Sequence, residues 1–524
     1  MWGGGLLPRP FPFINTMQQI PIIIAFIAYL AIMLYVGYYF GKKKTSNSSE
    51  FYLGGRQLGS FVAAMSAEAS DMSSWLLMGI PGLAFITGLA SPFWTVLGLG
   101  IGTYLNWLFV ARRLRRYTAR VDAVTIPEFF SKRYKDDRNI LMCISAIIIL
   151  IFFIPYTASG FKAVGTLLPS LFGLSYHESM IIGAVIIVSY TVMGGFMAVS
   201  TTDLIQSIVM TISLIVIVTF ALNNAGGLDN VIAEGEKLPG YLSLTETHDK
   251  LNGTSEPYGW LTIISTMAWG LGYFGMPHIL LRFMAIRDEK MLTTSRRIAT
   301  VWVFISMFVA ILIGIIGYAV SQKGIITDFQ TTSAAESTII VLSGCLSDYG
   351  LIAALLAGVA LSGILACTMS TADSQLLTAA SSFSDNIVQD VLHINVSPKT
   401  SMLLARLTIL AVAVIAMFLA WNPESSIFNI VSFAWAGFGA AFGPVMLCSL
   451  FWKRTTLQGA VCGMIVGGIM VFVWKYALQP MGGVWGIYEL LPAFIASAIT
   501  IIIVSLCTNK PQQEILDDFE YSKQ

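Results

Sequence analysis

The residues able to do chemistry in this chain of 524 residues are gathered in three short stretches. Ala64–Trp75 packs Ser66, Glu68, Ser70, Asp71, Ser73 and Ser74 into an otherwise apolar run. Met267–His278 sets Gly270, Gly272, Gly275 and Pro277 among Trp269, Tyr273 and Phe274. Ala366–Gln375 carries Cys367, the adjacent hydroxyls Ser370 and Thr371, then Asp373 and Ser374. Hydroxyls, carboxylates and the carbonyls of an unwound helix are hard oxygen donors. A small cation such as sodium needs about five or six of them.

These stretches have to be positioned by elements that composition already describes. Hydrophobic residues make up 56% of the chain and charged residues 11%, with 30 basic and 29 acidic residues. Mean hydropathy is +0.75. That is too little charge for a soluble enzyme surface, too balanced for a nucleic-acid binder and too apolar for disorder. Long unbroken apolar runs exclude a β-barrel and predict an all-α polytopic membrane protein. About 13 transmembrane helices are expected, with the polar stretches in the second (Leu58–Gly88), seventh (Leu261–Gly275) and ninth (Leu351–Leu377). Cysteines are sparse and lack metal-ligand spacing, which predicts buried free thiols. There is no HExxH, GxSxG or P-loop, so neither an enzyme nor a cofactor is expected.

Most of the basic residues, among them Lys42–Lys44, Arg112–Arg116, Arg282 and Lys510, fall in alternate loops if the N-terminus lies outside. The positive-inside rule then gives a plasma-membrane protein with an external N-terminus and a cytoplasmic C-terminus. Ionisable groups inside spans are costly, so Glu68, Asp71, Asp203 and Asp373 mark a candidate ion path. They are expected to be the only acids in or at the rim of the apolar spans. The second span is expected to unwind along its polar stretch. Spans two to six and seven to eleven make two sets of five. Each set opens with an interrupted helix, which points to an inverted repeat with a binding site at the breaks. The expected organisation is an external segment 1–19, an additional helix and inner loop 20–57, a first repeat 58–222, an external loop 223–260, a second repeat 261–454, two C-terminal helices 455–507 and a tail 508–524. Channels want filter or charge-ring sequences, which are lacking, and a sensor wants a longer cytosolic tail.

Several strings resemble the sodium/solute symporter family: Tyr52-Leu-Gly-Gly-Arg56, Ser70-Asp-Met-Ser, Trp75-Leu-Leu-Met-Gly, Tyr156-Thr-Ala-Ser-Gly160, Trp269-Gly-Leu-Gly-Tyr-Phe-Gly, Met369-Ser-Thr and Ser432 through Pro444. Their order covers most of the chain. The resemblance implies a leucine-transporter-like five-plus-five inverted repeat with extra terminal helices, and sodium-coupled import of proline through a bacterial membrane. Another small zwitterion or a carboxylate is the alternative solute. It implies sodium held by the carbonyls of Ala69 and Met72 with Cys367, Ser370 and Thr371. It implies proline held against Ser73, Ser74, Trp75, Tyr156, Trp269, Tyr273 and Pro277. It also assigns Asp71 and Asp203 to the cation route. Cys367 stands where the family has Ala, and Glu68 and Ser74 stand where Gly is usual.

Overall fold

A computed structural model describes residues 16–41, 48–193, 195–394 and 396–523. Most of the segment 1–19 and the basic run Lys42–Lys44 therefore lie outside the described residues. Ten of the described helices are long and apolar enough to cross a membrane. The three remaining expected spans are helical too, but two are broken and one is short (Tyr176–Met193). The apolar outer faces of the spans, such as Ile27, Val185, Ile215, Ile305, Leu407 and Ile503, are left for lipid to cover.

The second span is Ser60–Ser74, a π-turn Trp75–Gly79 and Ile80–Thr87. Its unwinding is narrower than the polar stretch suggested. The helix holds as far as Met72, and only Ser73 leaves it, with φ 45° and ψ −175°. Ser66, Glu68 and Ser70 each find partners on neighbouring spans, so they need not turn on their own backbone. The seventh span is Trp260–Met267, a tight 3-10 stretch Ala268–Phe274 and a restarted helix Pro277–Ala285. Pro277 opens that restart, where its missing N–H costs nothing.

The ninth span, Leu351–Ser381, runs through the centre. It packs against the second span and against the first (Thr16–Gly41), fourth (Ile140–Phe172) and sixth (Phe196–Ala225), and is buried along nearly all of its second half. Each end of the broken second span is pinned. At one end Leu58 N–H donates to Ala285 O and Arg287 N–H to Leu58 O, while Arg56 donates to the carbonyls of Met284, Thr118 and Ala123. At the other, Gly82 lies against the backbone of Glu336. The Glu336 carboxylate accepts the Ile427 and Phe428 N–H groups and so caps the eleventh span, Ile427–Phe451. Lys162 on the fourth span donates to Pro423 O nearby.

The loop 223–260 contains a helix, Leu228–Glu236, and a two-stranded antiparallel hairpin, Glu246–Asp249 with Thr254–Pro257. Two further expectations need correction. Glu336 and Glu489 are also buried acids: Glu336 caps the start of the eleventh span, and Glu489 is the N-cap residue of the last long helix, Leu490–Cys507. Of the six free cysteines only Cys367 is buried; Cys143, Cys345, Cys448 and Cys462 are half-buried and Cys507 is exposed on an outer face.

The third span, Ala90–Leu105 continued by a π-turn Asn106–Val110, meets the seventh backbone to backbone. A Cβ on Gly98 would strike Met267 O, and one on Gly102 would strike Gly270 O. Gly102→Ala is therefore expected to cost about 1–3 kcal/mol of stability. Gly344→Ala, in a helix with open space around its Cα, should be neutral or stabilising. Thermal unfolding of the two purified variants checks the contrast.

Candidate functional site

Three clusters meet on the second span. The first joins it to the ninth. Ser370 Oγ donates to Ala69 O at 2.8 Å and lies 3.1 Å from Cys367 O. Thr371 Oγ1 donates to the same Cys367 carbonyl at 3.2 Å. Four of the five expected sodium ligands are thus tied together, and Cys367 enters through its carbonyl while its thiol turns to Ile364 O. The Met72 carbonyl lies at the break and accepts the Trp75 N–H.

The second cluster surrounds Asp71. Tyr273 donates its hydroxyl to Asp71 Oδ2 at 2.5 Å. Tyr156 and the Trp75 indole both donate to Asp71 O, at 3.0 and 3.2 Å. Trp75 and Trp269 lie with ring centroids 6.1 Å apart, and Trp269 stacks on Tyr488 at 5.2 Å. The Ser73 and Ser74 hydroxyls are 3.5 Å apart beside these rings. Pro277 contributes by its backbone position, starting the helix that carries His278 against Phe153 and Tyr156. Trp435, Phe428 and Tyr488 complete the aromatic wall and were not expected. The sequence offered one signal for Trp435, the small-residue string Ser432–Pro444 around it.

The third cluster is ionic. Asp203 Oδ2 accepts from Ser66 at 2.6 Å, Ser70 at 3.1 Å and Arg282 Nη2 at 3.1 Å. Arg282 also donates to Ser374 Oγ, Ser66 Oγ and His278 O. Arg282 is thus a buried residue and not one of the inner-face basic residues. The seventh-span helix restarts at Pro277 and carries it back among the spans. Asp373 accepts from Ser374, and Oδ2 of Asp373 and Oδ1 of Asp203 have no partner. Glu68 stands apart from this network and meets Thr103 and Trp107 of the third span. Among the described residues no group of three or more His, Cys, Asp or Glu could hold a metal. The donors present are oxygens suited to an alkali cation rather than a transition metal.

Comparison with known proteins identifies the family. Residues 51–467 match the sodium:solute symporter family. The chain is 40% identical over 509 residues to sodium/proline symporter 2 of Staphylococcus saprophyticus, covering 96% of each. It is 42% identical over 489 residues to a high-affinity proline transporter of Bacillus subtilis, covering 93% of this chain and 98% of that one. An osmoregulated proline transporter of the same organism is also 42% identical, over 496 residues, with coverage of 94% and 96%. In fold the chain matches a sodium-coupled sialic acid symporter with a TM-score of 0.75 at 18% identity, covering 94% of this chain and 99% of that one. A nucleobase-cation-symport-1 family transporter matches at 0.55 and 13% identity, with coverage of 91% and 99%. The architecture is thus leucine-transporter-like, with the broken second and seventh spans at its centre. The chain belongs to the sodium:solute symporter family and is a multi-pass membrane transporter, not an enzyme.

Proposed function

We propose that the chain imports proline with sodium by alternating access. The observation that carries this reading is the 2.8 Å contact between Ser370 and the Ala69 carbonyl. It sits half a turn from Asp71, whose carboxylate and carbonyl gather Tyr273, Tyr156 and Trp75. Ion donors and solute pocket therefore share one short piece of the second span, beside the left-handed Ser73. Sodium at Ala69, Met72, Cys367, Ser370 and Thr371 would fix that piece and so shape the pocket. By linkage, solute must tighten sodium by the same factor. The three relatives named above are proline transporters by name, which supports proline as the solute.

Within the pocket, the aromatic wall of Trp75, Tyr156, Trp269 and Tyr273 encloses a compact apolar ring and excludes water. Ser73, Ser74 and the start of the helix at Pro277 offer hydrogen bonds and a positive helix end to a carboxylate. One positive charge moving inward gains about 2.3 kcal/mol per 100 mV, and a tenfold sodium gradient adds about 1.4 kcal/mol. One sodium per proline then supports roughly 500-fold accumulation. The same reading has thirteen crossings, the external N-terminus and cytoplasmic C-terminus, and the two repeats at 58–222 and 261–454.

Radiolabelled proline uptake into proteoliposomes, with and without an inward sodium gradient, is the test. Uptake that requires the gradient is expected, and equal uptake without it would sink the reading. Competition by betaine-like solutes and other amino acids sets the solute class. Trp269→Ala is expected to raise the proline half-saturation value about 3- to 10-fold, the worth of one aromatic contact, with little change in sodium dependence. An unaltered value removes Trp269 from the pocket.

A further inference from the structure

One ring of the aromatic wall comes from beyond the eleventh span. Tyr488 stands in the segment that joins the last two long helices, Leu457–Val473 and Leu490–Cys507. Its ring stacks on Trp269, with centroids 5.2 Å and planes 20° apart. Trp75, Phe428 and Trp435 lie against the same indole at steeper angles, between 30° and 38°. Two hydrogen bonds fix Tyr488 in place. Its N–H donates to Ser265 Oγ and its hydroxyl donates to Ser432 O, both at 2.7 Å. Ser265 is buried on the seventh span, one turn before Trp269. Ser432 is buried on the eleventh, between Phe428 and Trp435. Tyr488 therefore joins the span that carries Trp269 to the span that carries the two rings facing it.

The segment that holds Tyr488 is itself tied down. The neighbouring Glu489 is 0% exposed and starts the last helix as its N-cap residue. Lys475 Nζ lies 3.5 Å from its carboxylate, and Gln479 Nε2 donates to it at 3.4 Å. Gln479 and the Trp474 indole also donate to Ile487 O. The last helix lies close on the eleventh span, where a Cβ on Gly439 would meet Leu490 at 2.7 Å. Tyr488 is thus a fixed point. Trp269 is not fixed by its own backbone. It sits in the 3-10 stretch between two helix halves. The bond from Trp435 Nε1 to its carbonyl, at 2.8 Å, holds the main chain but leaves the side-chain torsions free. An indole free to turn has to be ordered when the solute arrives, and binding carries that cost. A ring stacked on it beforehand removes the cost.

We infer that Tyr488 is a positioning residue of the solute pocket: it acts through Trp269, holding the indole in the orientation that meets the solute, and it fastens the seventh span to the eleventh around the occupied pocket. This rests on the reading of Trp269 as a wall of the proline pocket and deepens it. It also gives the last two helices, which lie outside the two broken spans, a part in solute affinity. By linkage, a solute that prefers Trp269 as Tyr488 holds it must in turn steady Tyr488.

Two measurements test this. The first uses the purified natural chain. Hydrogen exchange followed by mass spectrometry compares the segments 267–278 and 485–491 in sodium alone and in sodium with proline. Proline is expected to slow exchange in both. Slowing in 267–278 alone overturns the inference. Slowing in neither means that proline does not settle at the break, so the proline reading itself falls and takes the inference with it, a distinct outcome seen before any variant is made. The second measurement is proline uptake at saturating sodium. Tyr488→Leu is expected to raise the proline half-saturation value about 3- to 10-fold, with the maximal rate per folded transporter held within about twofold. Tyr488→Phe, which keeps the ring, should stay within about twofold of the natural chain in both values. In the Trp269→Ala background, Tyr488→Leu should add less than about twofold, because its effect passes through the indole that is gone. A purely structural role would lower the amount of folded transporter and leave the half-saturation value alone. An unaltered half-saturation value in Tyr488→Leu overturns the inference, as do deficits that multiply in the double variant, or a Tyr488→Phe deficit as large as that of Tyr488→Leu. If Tyr488→Leu does not fold, the exchange measurement on the natural chain decides.

Discussion

Arg282→Met is expected to lower the stability of the purified protein by roughly 3–5 kcal/mol and to abolish transport. The reason is what it leaves behind. Asp203 and Arg282 are both buried, and Arg282 satisfies Asp203, Ser66, Ser374 and the His278 carbonyl at once. Removing the guanidinium strands a carboxylate beside two serines that cannot neutralise it. Asp203→Asn alone should be costly for the mirrored reason, since the cation then has no countercharge. The double variant Asp203→Asn with Arg282→Met should recover much of the stability, because neutral groups of similar size pack where a pair once had to be desolvated. A double-mutant cycle on unfolding free energies, followed by tryptophan fluorescence in detergent, measures this coupling. A single-variant loss below about 1 kcal/mol, the range of an exposed pair, would show that water reaches the ions.

Arg282 also shows what the sequence hides. Hydropathy reads the length of an apolar run, not the depth at which a residue settles. The seventh run fades at Gly275, so Arg282 reads as the first charge of an inner loop. The restarted helix at Pro277 carries it back among the spans instead. Glu336 was missed for a related reason. It lies in a polar loop, yet it is buried because its carboxylate caps three donors at the start of the eleventh span. By contrast the burial of Glu68, Asp71, Asp203 and Asp373 was legible, because each is an ionisable residue set within an apolar run. The two breaks were legible from composition, but their extent was not. Six polar residues in the second span suggested a long unwound stretch, and cross-span partners for Ser66, Glu68 and Ser70 restrict the departure to Ser73. Such partners are pairings at long separation, such as Glu68 with Trp107 or Ser370 with Ala69. Local spacing carries no record of them.

Ser370→Ala is expected to raise the sodium half-saturation value by one to two orders of magnitude while leaving the protein folded. Its hydroxyl is the side-chain oxygen that bridges the ninth span to the Ala69 carbonyl. Loss of an oxygen on a charged ligand costs about 1.5–3 kcal/mol, or roughly 10- to 150-fold in affinity. Stability should fall less, because the freed Ala69 carbonyl loses one neutral hydrogen bond, worth about 1 kcal/mol. Thr371→Ala should act in the same direction, and Thr371→Ser, which keeps the oxygen, should remain close to the natural chain. That pair separates ligation from packing of the Thr371 methyl. Reciprocity adds a second readout. At low sodium, Ser370→Ala should raise the proline half-saturation value as well, since solute binding draws on the sodium-bound form. At saturating sodium that deficit should disappear, whereas the Trp269→Ala deficit should persist. Sodium dependence unchanged in both Ser370→Ala and Thr371→Ala would move the ion away from the ninth span. The Ser370 and Thr371 contacts to Ala69 and Cys367 would then be no more than helix back-bonding and interhelical glue.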